Sequence, residues 1–380
     1  MGIEIQIMED KSIGRYFQAS ALGSILGALP RSLQNRIVEG FRRGMITLDV
    51  DEASQVLDTL ASTLKTVCDI KSARLSLYTA GVRDTRIISS IAPGASLKGR
   101  SLDCAWLINV SKNILRNANA RVRIPMLLRT YVFSKYKDME DAGREETDAV
   151  SLFIALSGAI ISIVASSIRR GQNNYELYIV PDTSMDSILN SYSIYTLLHA
   201  KDLRSVEAYI RGLVDIENLS FELAVLLSLA LYIHDVTTYI AGMPPLTGLY
   251  NVFEKFKLIS VVTGGSRPIV AWERPLTLTH LFEKLTNKGA IEVMRKLHLC
   301  ASHALRHSQT INNAGDIVAQ CVTALFAYLE TESLDPLLVC EANSQRLVDK
   351  FSSLCRESDK EACTAERDFA SLIRYMIKLI

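Results

Sequence analysis

Several things are missing from this chain, and each absence removes a class of explanation. Charge of one sign is missing: 42 lysines and arginines stand against 41 acids, a formal net charge of +1. With no global field to attract a polyanion, any nucleic-acid role has to come from local clusters of bases. Cysteine is sparse and unpatterned. The seven cysteines are an odd count, spread out, without a C-x-x-C pair. That distribution predicts the reduced thiols of an intracellular protein rather than a disulfide framework. Most of them fall at apolar positions of expected helices, where Cys acts as a small hydrophobe. The opening "MGIEIQIMEDKSIGRYF" places acids early and has no basic-then-apolar layout, so no export signal is expected. There is no internal repeat, low-complexity tract, nucleophile elbow, paired-carboxylate motif or catalytic Cys–His signature. No catalytic residue, resident metal or cofactor is therefore assigned.

What is present is an ordinary globular composition, 48% hydrophobic and 22% charged, over 380 residues, long enough for two domains. One run tests the soluble reading. Residues 149–168, "AVSLFIALSGAIISIVASSI", pass without a charge and would make about 30 Å of helix. Five serines and a glycine favour a helix buried in a soluble core over a membrane span, and no membrane partner is expected.

Before that run the pattern is mixed. "DEASQVLDTLASTLKTVCDI" places Val56, Leu57, Leu60, Leu64 and Val67 on one helical stripe. "SARLSLYT" alternates as a strand does, with "RIISSI" (86–91) as its expected partner. A loop at "APGASLKGRS", a helix around 102–115 and an extended run near 126–133 follow. The charged stretch "KYKDMEDAGREETD" sets the expected boundary, with Thr147 or Asp148 capping the apolar helix. That helix is expected to stop at "RRGQNN", with Gly171 as its end, before a strand "YELYIVP" closed by Pro181.

From Met185 onward helical stripes dominate. "SFELAVLLSLALYIHDVTTY" is apolar nearly all round. "DIVAQCVTALFAYLE" lines up Ile317, Cys321, Val322, Leu325 and Phe326. The last segment lines up Phe369, Leu372, Ile373, Met376, Ile377 and Ile380. Unpaired stripes require neighbours, which predicts a bundle. The expected fold is α+β and predominantly α-helical: a mixed domain over 1–145, then a helical domain over 146–380 carrying a β-hairpin near 257–274.

That hairpin, "KLISVVTGGSRPIVAWERPLTLTH", holds Lys257, Arg267 and Arg274 beside Trp272, one of two tryptophans. Its Gly-Gly turn lacks both phosphate-loop spacings, so the glycines read as turn residues. Either the arginines are solvated charges on a surface hairpin, or their forks meet phosphates or base edges. A second cluster runs from Lys112 to Lys137: Lys112, Arg116, Arg121, Arg123, Arg129, Lys135 and Lys137, seven bases with no acid. Tyr131, Phe133 and Tyr136 lie among them. Such bases release counterions from phosphates and such aromatics stack on unpaired bases; the bland reading is a solvated face balanced by the acids that follow.

Histidines offer two metal readings. His303 and His307 share a helix face, but "HALRH" lacks the glutamate of H-E-x-x-H. His234–Asp235 resembles the doublet of the HD phosphohydrolases, with His199 and Asp316 as further ligands. The residues after the doublet depart from that family.

From Ala149 to His280 the order of features resembles the large subunit of archaeal type I-A CRISPR interference (Cascade) complexes. A charge-free helix runs into "YELYIVPDTSM"; helices follow, then "ISVVTGGSRPIVAWERPLTL". The resemblance implies a non-catalytic, cytoplasmic component of a crRNA-guided antiviral complex. It would engage crRNA and target DNA beside the PAM and assemble with backbone, small and helicase–nuclease subunits, while the guide reads sequence. Under it, Arg267, Arg274 and Lys257 would face DNA and the Lys112–Lys137 stretch crRNA or an unpaired DNA strand. The alternatives are an HD-type phosphohydrolase or nuclease, and a helical scaffold with no nucleic-acid role.

Overall fold

The computed structural model describes residues 2–9, 12–70, 74–76, 90–91, 101–118, 120–125, 128, 146–199, 206–241, 253–263, 268–276, 278–287, 289–357 and 359–379. The chain opens with β1 (Ile3–Gln6), α1 (Ile13–Ile25), α2 (Arg31–Arg43), β2 (Met45–Leu48) and α3 (Val50–Ile70). Short elements follow: β3 (Arg74–Ser76), β4 (Ser101–Asp103), α4 (Cys104–Ser111), a 3₁₀ turn (Ile114–Asn117), β5 (Arg121–Arg123) and β6 (Glu146–Asp148). Next are α5 (Ala149–Ser162), β7 (Ile163–Arg170), β8 (Asn173–Pro181), α6 (Met185–Leu198), α7 (Val206–Val214) and α8 (Phe221–Ala241). The strands β9 (Phe256–Val262) and β10 (Ile269–Pro275) precede α9 (Leu278–Asn287), α10 (Ile291–Arg306), α11 (Ala314–Thr331), α12 (Asp335–Arg356) and α13 (Lys360–Ile377). The fold is α+β and predominantly helical, as expected.

The chain forms two compact units: Met1–Ser205 with Val252–Leu276, and Val206–Asn251 with Thr277–Ile380. This division differs from 1–145 and 146–380. The reason lies in α5, whose fourteen residues are all buried. An all-round apolar helix needs cover on every side, and much of that cover comes from α1, which belongs to the N-terminal segment.

In the first unit Gly158 lets α1 and α5 approach closely, since a Cβ there would collide with the Phe17 carbonyl. Buried Gln18 locks the join. Its amide donates to the carbonyls of Gln6 (3.0 Å) and Ser151 (3.3 Å), and its oxygen accepts from Met8 N (2.8 Å). Asp148 caps α5 by accepting from Ser151 N at 2.6 Å. It also accepts from Gln6 N at 2.9 Å.

The uncharged run does not stay helical to Ile168. At Ile163 the backbone turns extended, φ −68° and ψ 126°, and β7 begins. β-Branched Ile160, Ile161, Ile163 and Val164 favour the change, and pairing with β8 supplies the lost hydrogen bonds. Gly171, with φ 58°, turns the β7–β8 hairpin instead of ending a helix. The strand at 173–181 and the hairpin at 256–275 form where the sequence placed them. The hairpin is not an insertion in the helical bundle: it completes the antiparallel sheet β10-β9-β8-β7 of the first unit. β3 pairs with β4, and the expected partner at 86–91 lies almost wholly outside the described residues. The extended run near 126–133 also lies outside them, apart from buried Leu128. Among the described residues no helix is long and apolar enough to cross a membrane.

The second unit is helical. Its stripes bury as read on α11 and α13, and Phe351 stacks on Phe369 at 5.5 Å. Phe326 is only half-buried, Ile377 is exposed, and Ile380 is outside the described residues. The expectation of reduced thiols is overturned: Cys68 pairs with Cys104 in the first unit, and Cys321 with Cys340 and Cys355 with Cys363 in the second. Helical packing brings their Cα atoms to 5.9, 5.0 and 4.7 Å, within bridging reach although no sequence spacing announced them. Cys300 alone is free, and it is buried.

Candidate nucleic-acid interface

β9 and β10 pair in register from Ile269 opposite Val262 to Pro275 opposite Lys257, with a bulge between Val270 and Trp272. Period-two alternation then sorts the hairpin's charges onto opposite faces. Lys257 and Glu273 share the face that meets Tyr16 of α1. Lys257 forms an ion pair with Glu273 and donates to Tyr16 Oη at 3.2 Å. Burial opposes the Lys257 charge, but the bonds to Glu273 and Tyr16 outweigh it and raise its pKa. The Tyr16 phenol is pushed up by burial and by the Glu273 charge.

Lys257 thus has two internal partners, Glu273 and Tyr16. Glu273, its side chain only 8% exposed, is the residue that sequence reasoning missed. Its placement on the Lys257 face of the hairpin was the available signal.

Trp272 and Arg274 point to the other face. Trp272 is half-buried and Arg274 is exposed, on the strand that ends the sheet order. An indole and a guanidinium two residues apart on one face of an edge strand can stack on a base and pair with a phosphate. Arg267 and the turn glycines lie outside the described residues.

The second cluster is partly visible. Lys112 and Arg116 are exposed just after α4, and neither has a side-chain partner among the described residues. Arg121 and Arg123 flank buried Val122 and share the exposed face of β5. They sit opposite Asp148 and Glu146 in register, and Arg121 donates to Gln6 Oε1 at 2.9 Å. Two of these bases therefore face acids on the neighbouring strand. Arg129, Lys135 and Lys137, with Tyr131, Phe133 and Tyr136, are outside the described residues.

The metal readings fare differently. In the first unit His199 is buried, with Nε2 3.0 Å from the Ile161 carbonyl. In the second unit Asp235 receives Tyr209 Oη at 2.9 Å and Arg295 Nη2 at 2.7 Å, and His234 Nδ1 lies 3.3 Å away. Burial raises the Asp235 pKa, but these three partners overcome it and hold the carboxyl below its ordinary value. Asp316 accepts from Asn218 at 2.5 Å. His303 Nε2 contacts Asp368 at 3.0 Å, and His307 packs edge-on against Phe351. Among the described residues no group of three or more His, Cys, Asp and Glu is arranged to hold a metal ion.

Beside the doublet, burial drives the His298 pKa down to about 4, with the Asp235 charge opposing. No protein-family model matches the chain, and no curated protein matches it.

Proposed function

We propose that this chain is a non-catalytic, polynucleotide-binding large subunit of a crRNA-guided antiviral complex of the type I-A kind. One observation carries the reading. Within the stretch behind the resemblance, Ala149 to His280, the strands β7–β8 and β9–β10 are separated in sequence yet share one sheet, whose edge strand presents Trp272 and Arg274 together. The helices behind that sheet hold the edge rigid while crRNA pairing reads the target. Arg267 and Arg274 engage the DNA beside the PAM, and Lys112 and Arg116 add phosphate contacts. The subunit works in the cytoplasm with backbone, small and helicase–nuclease partners. Three disulfides accord with an archaeal origin, because intracellular proteins of hyperthermophilic archaea are disulfide-rich.

The test is recovery and binding. Tagged protein from its native host should carry short, uniform guide RNAs with several partner proteins. In the assembled complex, Arg267→Glu with Arg274→Glu should lower target-DNA affinity about tenfold or more, at roughly 1 kcal/mol or more per lost charged contact. Recovery without RNA would overturn the reading; RNA recovery with unchanged DNA affinity would overturn the hairpin assignment alone.

A further inference from the structure

We infer that the exposed face of α2 is a second phosphate-backbone contact, with Arg31 and Arg42 as its binding residues. The inference rests on the polynucleotide-binding reading above. It begins with charge. The sequence of α2, "RSLQNRIVEGFRR", holds four arginines against one glutamate, net +3, while the whole chain carries +1. All its cations are arginine, whose planar fork matches phosphate in two parallel hydrogen bonds.

The four are not equivalent. Arg36 pairs with Glu52 of α3 and Arg43 with Glu39, so one flank of the face is neutralised within the fold. Arg31 and Arg42 are exposed and have no partner among the described residues. Eleven residues of helix bring them within about 20° of one line and about 16 Å apart. Exposed Asn35 lies between them on the same line.

Nothing in the fold accounts for Arg31. It occupies the first helical position of a helix with no side-chain cap and no acid in its first turn. The helix dipole disfavours a cation there. Arg31 is therefore exposed, unneutralised within the fold and open to an external anion.

Two other polyanionic partners fit less well. A membrane-surface helix inserts its apolar face among lipids. The apolar face of α2, Leu33, Ile37, Val38 and Phe41, is already buried in protein. An acidic protein surface would be met by scattered carboxylates. A polynucleotide offers regularly spaced phosphates to an aligned pair of forks.

The test uses the full-length protein and a fluorescent 25-nucleotide single strand, titrated across a series of salt concentrations. Each lost phosphate contact should remove about 0.7 from the slope of log affinity against log salt. Arg31→Gln with Arg42→Gln should therefore flatten the slope by about 1.4, with the melting temperature unchanged or slightly raised. Arg36→Gln with Arg43→Gln should flatten it by less than half as much. An equal effect of the two pairs, or none from Arg31 and Arg42, overturns the α2 contact and leaves the broader reading standing. A poly-aspartate peptide that competes as well as the single strand overturns it too, since the face would then recognise any acidic chain. Wild-type protein without salt-dependent binding removes the polynucleotide reading and this contact together.

Discussion

The two units of this chain solve the same burial problem by opposite means. The first draws its sheet from β7–β8 and β9–β10, strands far apart in sequence, and centres its packing on two nearly fully buried helices, α1 and α5. The second stacks amphipathic helices, mostly neighbours in sequence, and joins them by side-chain pairs. Arg295 reaches Asp235, Lys296 and His303 both reach Asp368, and Lys284 reaches Glu330. The charges do not follow that division: both units hold paired cations and exposed cations without an internal partner among the described residues. In the second unit these cations link non-consecutive helices, while Arg356, Lys360 and Arg374 are exposed with no partner among the described residues. In the first, Arg31, Arg42, Lys112 and Arg116 are exposed and have no internal partner among the described residues. What sets the first unit apart is local density, four arginines against one glutamate on α2, which a chain-wide charge of +1 conceals.

The comparison breaks most sharply at Gly158. Because a Cβ there meets main chain of α1, which has no rotamer to escape into, Gly158→Ala should destabilise the first unit by about 3 kcal/mol or more. Both tryptophans, Trp106 and Trp272, belong to that unit. Their fluorescence should therefore report an early transition in denaturant, while much of the far-ultraviolet helical signal melts later with the second unit. A variant as stable as wild type by tryptophan fluorescence would show that α1 and α5 do not pack as closely as drawn.

That close approach was invisible in the sequence, and the reason is general. Periodicity reports one buried face against one wet face, so it located α3, α11 and α13 correctly. Where every residue is buried the signal vanishes. Residues 149–168 therefore read as one helix, although the chain turns extended at Ile163. The cap was legible to within one residue, Thr147 or Asp148, because capping is local chemistry, and Asp148 fills it. The three disulfides were not, because tertiary packing alone brings their halves together. The site divides the same way. Clustering of bases was legible, but whether a base faces solvent or an acid was not. Lys257 looked available until register placed Glu273 beside it, and α2 escaped notice because its arginines are interrupted by the apolar residues that bury it.

The second unit has its own sensitivity, to acid. The unfolded chain binds a proton at His298 as pH falls through about 6.5, while the folded chain resists until about 4. Between those values the unfolded state holds more protons, so stability falls as pH falls. Allowing for the partial exposure of the residue, the loss should be about 2 kcal/mol across the window. His298 touches Ser228 Oγ at 3.3 Å and the Tyr209 ring, with the Asp235 charge nearby. His298→Asn should flatten the helical melting temperature between pH 6.5 and 4 and leave the tryptophan transition unaltered. An undiminished slope would place the acid sensitivity elsewhere.

The smallest effect is expected at Lys257, and it sharpens the contrast between a base that binds and a base that builds. Lys257→Met removes the partner of a carboxylate whose side chain is 8% exposed, which should cost about 1 kcal/mol or somewhat more of first-unit stability. Adding Glu273→Gln removes the stranded charge and should recover most of that loss. Neither variant should change the salt dependence of polynucleotide binding, since the cation neutralised a residue of its own sheet. A lysine that met phosphate would behave in the reverse manner: the slope would fall by about 0.7 in both variants, and restoring stability would not restore it. Measured side by side, stability and salt slope separate the two roles, because the internal partner affects only the first and the external partner only the second.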